Sequence, residues 1–357
     1  MTSRLARDPA RRCMRLAEWP DADRERWLAA LQLGDPLESD GARARYAAAS
    51  NRRVEHGYGR WLAWLAHTGR LDRSASPAAR INREAVVAYL RALAVVNSTA
   101  TQHGRLEELY IVAVVMAPDQ DWKWIRNLAS GVRLRHRPAR EKRPRLVGTD
   151  DLLALGFTLI RHAGEEKGSP RQRALLHRDG LAIGLLALRL LRRRNFVHLH
   201  LSEHVVRRGE EWWLQVPGSE TKNGDPIEMR WPKVLVEPLE TYLTLHRPEL
   251  AGRQSRWCRP AGQALWVSAE GTPMGEQALY MLVKKHTRAA FGRDLSPHLF
   301  RDCATTTIAI EDPGRVGIAS QLLTHRSPAA VERYYNQARS VAAVRKWHEI
   351  LAGLRDG

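Results

Sequence analysis

Apolar residues recur at helical spacing along most of the chain and give way to strand-like alternation in one central region. Pro20-Asp21-Ala22-Asp23 ahead of Trp27, Leu28 and Leu31 predicts a capped helix start, its acidic residues favourable near the first turn. Arg45 to Thr68 carries Tyr46, Val54, Tyr58, Trp61, Leu62 and Leu65, a helical stripe with Gly69 as its stop. Asn82 reads as the N-cap of the helix beginning at Glu84. Ser98 to Met116, with Leu106, Leu109, Val112 and Val115, predicts another helix that ends near Pro118. Together these make a compact bundle of about four or five helices. Trp122, Trp124 and Ile125 are expected to pack within it, stacking on bases being the other use open to the two indoles.

From Val147 onward a second pattern begins. Asp150 heads a helix through Leu155 to Ile160, and Arg171 to Leu191 is a long apolar one. Then Phe196 to His204 and Glu211 to Pro217 alternate as strands around a turn at Arg207-Arg208-Gly209-Glu210. Ile227 to Trp231 follows the tight-turn signal Asn223-Gly224-Asp225 as a third strand. Val234 to His246 and Gln277 to Phe291 return to helix, with Trp266-Val267-Ser268 extended between them. The predicted fold class is mostly α with a small antiparallel β-sheet, an α+β arrangement.

Charge narrows the partners. The chain has 357 residues, with 57 Lys and Arg against 39 Asp and Glu, a net charge of +18. Such an excess favours a polyanion, nucleic acid first. Residues 133–146 form a basic, proline-punctuated stretch without apolar periodicity, which predicts a linker between a helical domain, 1–132, and a second domain, 147–357. It is either a solvated tether or a strap across the phosphate backbone. Cys13, Cys258 and Cys303 lie too far apart to suggest a disulfide framework or zinc cluster, and a reducing cytoplasm is the simple setting. No run approaches the ~20 apolar residues of a membrane helix. The N-terminal arginines, from Arg4 to Arg15, have no apolar core after them, so no secretory signal is expected.

The candidate chemistry clusters late in the chain. Ser296-Pro297-His298-Leu299-Phe300-Arg301 puts a His and an Arg at i and i+3, on one helix face. His325 follows, then Tyr334 and Tyr335. Cations followed by a tyrosine are what attack on a phosphodiester requires. His298-Leu299-Phe300-Arg301 with Ala304-Thr305, then Leu322-Leu323-Thr324-His325 and the closing tyrosines, resemble the signature of the tyrosine recombinases, or phage-type integrases.

The resemblance implies a helical core-binding domain followed by a catalytic domain, and it extends upstream. Arg192, with Asn195, Phe196 and Leu199 after it, is similar to the family's first phosphate-binding arginine, although Asn195 stands where the family usually has Glu. Lys222, on the expected hairpin, resembles the general acid for the departing 5′ hydroxyl. Arg301 resembles the second arginine, and His298 its partner as donor or proton carrier. His325 looks like a further donor, with Thr324 in place of the usual Gly. The commonest family spacing from His325 selects Tyr334 as nucleophile. The Glu332-Arg333 context and the Tyr335-Asn336 ending favour Tyr335, the choice adopted here.

The resemblance further implies strand cleavage and rejoining through a 3′-phosphotyrosyl link with neither metal nor nucleotide cofactor. It implies a monomer or dimer that becomes a homo-tetramer on synapsed DNA, in the cytoplasm at the nucleoid. A type IB topoisomerase and a non-catalytic DNA-binding regulator are the rival readings. After the tyrosines, Val344, Trp347, Leu351 and Leu354 form an apolar helical stripe, suited either to the chain's own core or to a neighbouring protomer.

Overall fold

The computed structural model describes residues 12–35, 39–135, 145–165, 167–252 and 260–311. The chain divides into two compact units, Met1–Arg140 and Glu141–Gly357.

Helices make up the first unit. Its described residues form α1 (Asp21–Leu31), α2 (Ala48–His67), the short α3 (Pro77–Arg80), α4 (Arg83–Val96), α5 (Thr99–Met116) and α6 (Lys123–Leu134). Local chemistry sets several boundaries. The side chains of Asn82 and Ser98 accept the amides of Ala85 and Thr101 and so cap α4 and α5. Gly69, at φ 67°, turns the chain after α2. Helix α6 runs to Leu134, so the basic stretch begins as helix. Trp122 and Ile125 are buried in this unit's core with Trp19, Trp27 and Trp61, and Trp124 packs against it.

The start of α1 differs from expectation. Pro20 is its N-cap and no side chain caps it. Asp23 is fully buried, where it accepts the Tyr58 hydroxyl at 2.7 Å and pairs with Arg80. Burial raises its carboxyl above the ordinary range, against the pull of Tyr58 and Arg80.

In the second unit α7 (Thr149–Glu165) lies against α8 (Pro170–Leu188). A Cβ on Gly180 would sit 2.5 Å from the Gly156 carbonyl oxygen, so the two helices touch backbone to backbone where neither has a side chain. Ser169 and Gln172 form a capping box at the head of α8. After α9 (Arg193–Val197) come β1 (Val205–Arg208), β2 (Glu211–Val216) and β3 (Ile227–Arg230), an antiparallel sheet in the order β1-β2-β3. Helix α10 (Val236–Thr241) widens into a π turn at Tyr242–His246 and continues as α11 (Arg247–Ala251). Helices α12 (Glu276–Phe291) and α13 (Pro297–Glu311) follow.

The expected strand at Phe196 to His204 is not one. Phe196 and Val197 belong to α9, and the next residues pair with a distant segment: the Leu201 amide bonds Gln263 and the Leu265 amide bonds Leu199, each at 2.8 Å. Ser202, at φ 68°, then turns the chain into β1. Arg207 and Arg208 are strand, and the turn shrinks to Gly209-Glu210 with Arg208 opposite Glu211. Among the described residues no helix is long and apolar enough to cross a membrane.

Candidate active site

Arg192 leaves α8 and serves as N-cap of α9. This five-residue turn holds its place because Phe196 is buried and stacks on Trp266, centroids 4.9 Å apart and planes 10° apart. Helix α13 holds His298 and Arg301 through Leu299, Phe300 and Cys303 in the core, while the Val147 amide donates to the Cys303 sulfur at 3.5 Å. Burial pushes the Cys303 thiol up from its ordinary pKa, which suits a packing role. Lys222 is exposed on the loop between β2 and β3.

These three segments meet. Arg192, Lys222, His298 and Arg301 line one cleft of about 810 Å³, together with Arg193, Asn223, Glu276 and Tyr280. Arg192 donates to Asn223 Oδ1 at 3.3 Å, and the largely buried Arg301 donates to the Leu190 carbonyl, just ahead of Arg192. Glu276 is held by Arg193 at 2.6 Å. The lining is thus four Lys or Arg, one His and one carboxylate, a site matched to an anion. His325, Tyr334 and Tyr335 lie outside the described residues.

Among the arginines clustered after α8, Arg189 reaches away to the Arg230 carbonyl at 2.8 Å, whereas Arg192 turns toward the Lys222 loop. Two further residues brace this region through contacts that the sequence does not specify. Asn195 is buried and its amide donates to the Glu220 carbonyl at 3.1 Å. His204 is buried, takes the His200 amide on Nδ1 at 3.1 Å and meets Glu220 Oε2 through Nε2 at 3.0 Å. Departure from the family pattern at Asn195 was the one available signal. Nothing in the sequence singles out His204.

His200, Glu203 and His204 bring donor atoms within 4.8 Å of one another. Both ring nitrogens of His204 already have partners, so an ion would have to displace one, and the trio is read as structural.

A second cavity, about 800 Å³, opens beside α7, α8 and the π turn. Its histidines, His177 and His246, sit with ring centroids 4.4 Å apart, and His177 Nε2 donates to the Pro238 carbonyl at 2.8 Å. None of the described candidate site residues lines it.

No protein-family model and no curated protein matches the sequence. Solved structures do. A post-cleavage complex of the XerH site-specific recombinase bound to palindromic difH substrate aligns with TM-score 0.56 at 14% identity, over 94% of this chain and 100% of that one. The pre-cleavage complex of XerH with difH gives 0.55 at 14%, over 93% and 99%. The fold, helices with a three-stranded antiparallel sheet, is shared with these XerH structures.

Proposed function

We propose that the chain is a site-specific DNA recombinase that cuts and rejoins strands through a 3′-phosphotyrosyl intermediate formed by Tyr335. One observation carries this reading: Arg192, Lys222, His298 and Arg301, from three separate segments, line a single cleft. Arg192 and Arg301 hold the non-bridging oxygens of the scissile phosphate with planar, permanently charged forks. Such preorganised donors are each worth about 2.7–4 kcal/mol where charge develops. The Tyr335 oxygen attacks phosphorus, its proton passing to His298 or to water. The bond from phosphorus to O5′ breaks, and Lys222 gives O5′ the proton it needs. His325 adds a further donor. A 5′ hydroxyl from the partner strand reverses the step, so the phosphotyrosyl ester conserves the bond energy.

Double-stranded DNA is the partner. The net charge of +18 supports this, as does the fold shared with proteins solved on their DNA substrates. The helical unit grips the duplex, the basic residues 133–146 cross its backbone, and four copies assemble on synapsed sites in the cytoplasm.

Covalent capture tests the reading. The full chain is incubated with nicked duplexes carrying a randomised segment, and adducts that survive detergent are sequenced. The expected outcome is an adduct through phosphotyrosine that disappears in Tyr335→Phe and persists in Tyr334→Phe. No adduct on any duplex overturns the assignment in favour of a non-catalytic DNA binder. Relaxation of supercoiled plasmid that lacks the captured site would instead identify a type IB topoisomerase.

A further inference from the structure

Lys222 is exposed, on a long flexible side chain, yet a general acid must come within hydrogen-bond reach of the atom it protonates. The loop that carries it is tightly folded. The Thr221 hydroxyl lies 3.1 Å from the Gly218 carbonyl and 2.8 Å from that of Asp225. Gly224 has φ 79°, and a Cβ on Gly218 would fall 2.3 Å from the Gly224 carbonyl oxygen. Glycine suits Gly224 through its positive φ and Gly218 through the close approach.

The loop is also pinned from outside, close to Lys222 on both sides. Two residues before it, the Glu220 carbonyl accepts from Asn195 at 3.1 Å, and the Glu220 carboxylate meets His204 at 3.0 Å. One residue after it, Asn223 accepts from Arg192 at 3.3 Å. Because the His200 amide occupies His204 Nδ1, the proton of the neutral ring sits on Nε2 and is donated to Glu220. Asn195 and His204 are both buried, so the anchors themselves are fixed. This gives the departure at Asn195 a physical reason. The family's glutamate accepts hydrogen bonds when ionised, whereas a carbonyl partner needs a donor, and the Asn amide supplies one.

We propose that Asn195, His204 and Glu220 are positioning residues that hold the Lys222 ammonium at the cleft, ready to protonate O5′ as its bond to phosphorus breaks; the role rests on the recombinase reading. The clamp itself is a property of the free chain.

Two measurements test it. The first uses the duplex recovered by covalent capture and a matched duplex with sulfur in place of the bridging O5′. A thiolate leaves without a proton, so the sulfur duplex bypasses the acid. Asn195→Ala and Glu220→Ala should slow cleavage of the oxygen duplex by about 5- to 100-fold. The sulfur duplex should be cut within about 2-fold of the wild-type rate, since only the proton transfer is impaired. Wild-type cleavage of the oxygen duplex, or equal slowing on both duplexes, overturns the proposal.

The second needs no DNA. Amide hydrogen exchange across 218–225 in the full chain should quicken in both variants while that of α8 stays slow, which also establishes that they fold. Glu220 is half exposed, so its truncation disturbs no core. Loop exchange unchanged from wild type overturns the clamp whatever the chain does to DNA. A wild-type chain that forms no adduct sinks the recombinase reading alone and leaves exchange to decide the clamp.

Discussion

Asp21 and Asp23 look alike in the sequence, two acids in the first turn of a helix, yet only Asp23 is buried. Its partners, Tyr58 and Arg80, are 35 and 57 residues away, so no local pattern announces the contact. The Arg80 side chain is only 2% exposed. Removing the carboxylate in Asp23→Ala leaves the buried Arg80 cation without its counter-charge, held only by the Asp72 and Ala75 carbonyls, a change that costs about 3–5 kcal/mol. Urea unfolding followed by tryptophan fluorescence should show that loss. A change under about 1 kcal/mol would mean that solvent reaches Arg80. The same logic separates what was legible in the cleft. His298 and Arg301 could be paired on paper because three residues along a helix is a fixed geometry. Asn195 could not be assigned a contact, because its partner is a backbone carbonyl 25 residues downstream, and any residue has one.

At the level of elements, α1, α2, α4, α5, α7, α8 and α12 were legible because their apolar stripes and caps are local, whereas α3, α6 and α9 were not. Asn82, Ser98 and the Asn223-Gly224 turn stand where they were expected. The misread strand at Phe196 to His204 has the alternation of a strand, but tertiary contacts decide otherwise: Phe196 buries against Trp266, and Leu199 and Leu201 pair with the 263–265 segment. The π turn was likewise invisible, and it carries a pH signature. Burial first, then the nearby positive charge of His177 and Arg173, pushes His246 down to about 4. An unfolded histidine titrates near ~6.5. Between these values the unfolded chain binds a proton that the folded chain refuses, so stability falls as pH drops from ~6.5 toward 4. The contribution at pH 5 is about 1 kcal/mol, roughly half the unscreened figure because the residue is only partly buried. Thermal melting from pH 7 to 5 should fall less steeply in His246→Leu than in wild type. Parallel profiles would show that the ring titrates as it does in the unfolded chain. His177, also pushed down mainly by burial, contributes in the same direction.

For the whole molecule, charge is the property that sequence states most directly and structure locates least. An excess of 18 positive charges predicts binding to duplex DNA of random sequence whose log affinity falls with log salt by about 0.9 per phosphate contact. With about five or more contacts the slope reaches −4 or steeper, measurable by fluorescence anisotropy across sodium chloride concentrations. A flat profile would show that the excess charge serves something other than a phosphate backbone. The meeting of Arg192, Lys222 and Arg301 required the fold, since nothing local links residues separated by 30 and 79 positions. All four described cleft cations belong to the unit Glu141–Gly357, and the pins that hold Lys222 come from that unit as well. On the recombinase reading, chemistry and grip would then be housed apart, so a chimera carrying a different helical lobe is expected to keep the cleft and its pins.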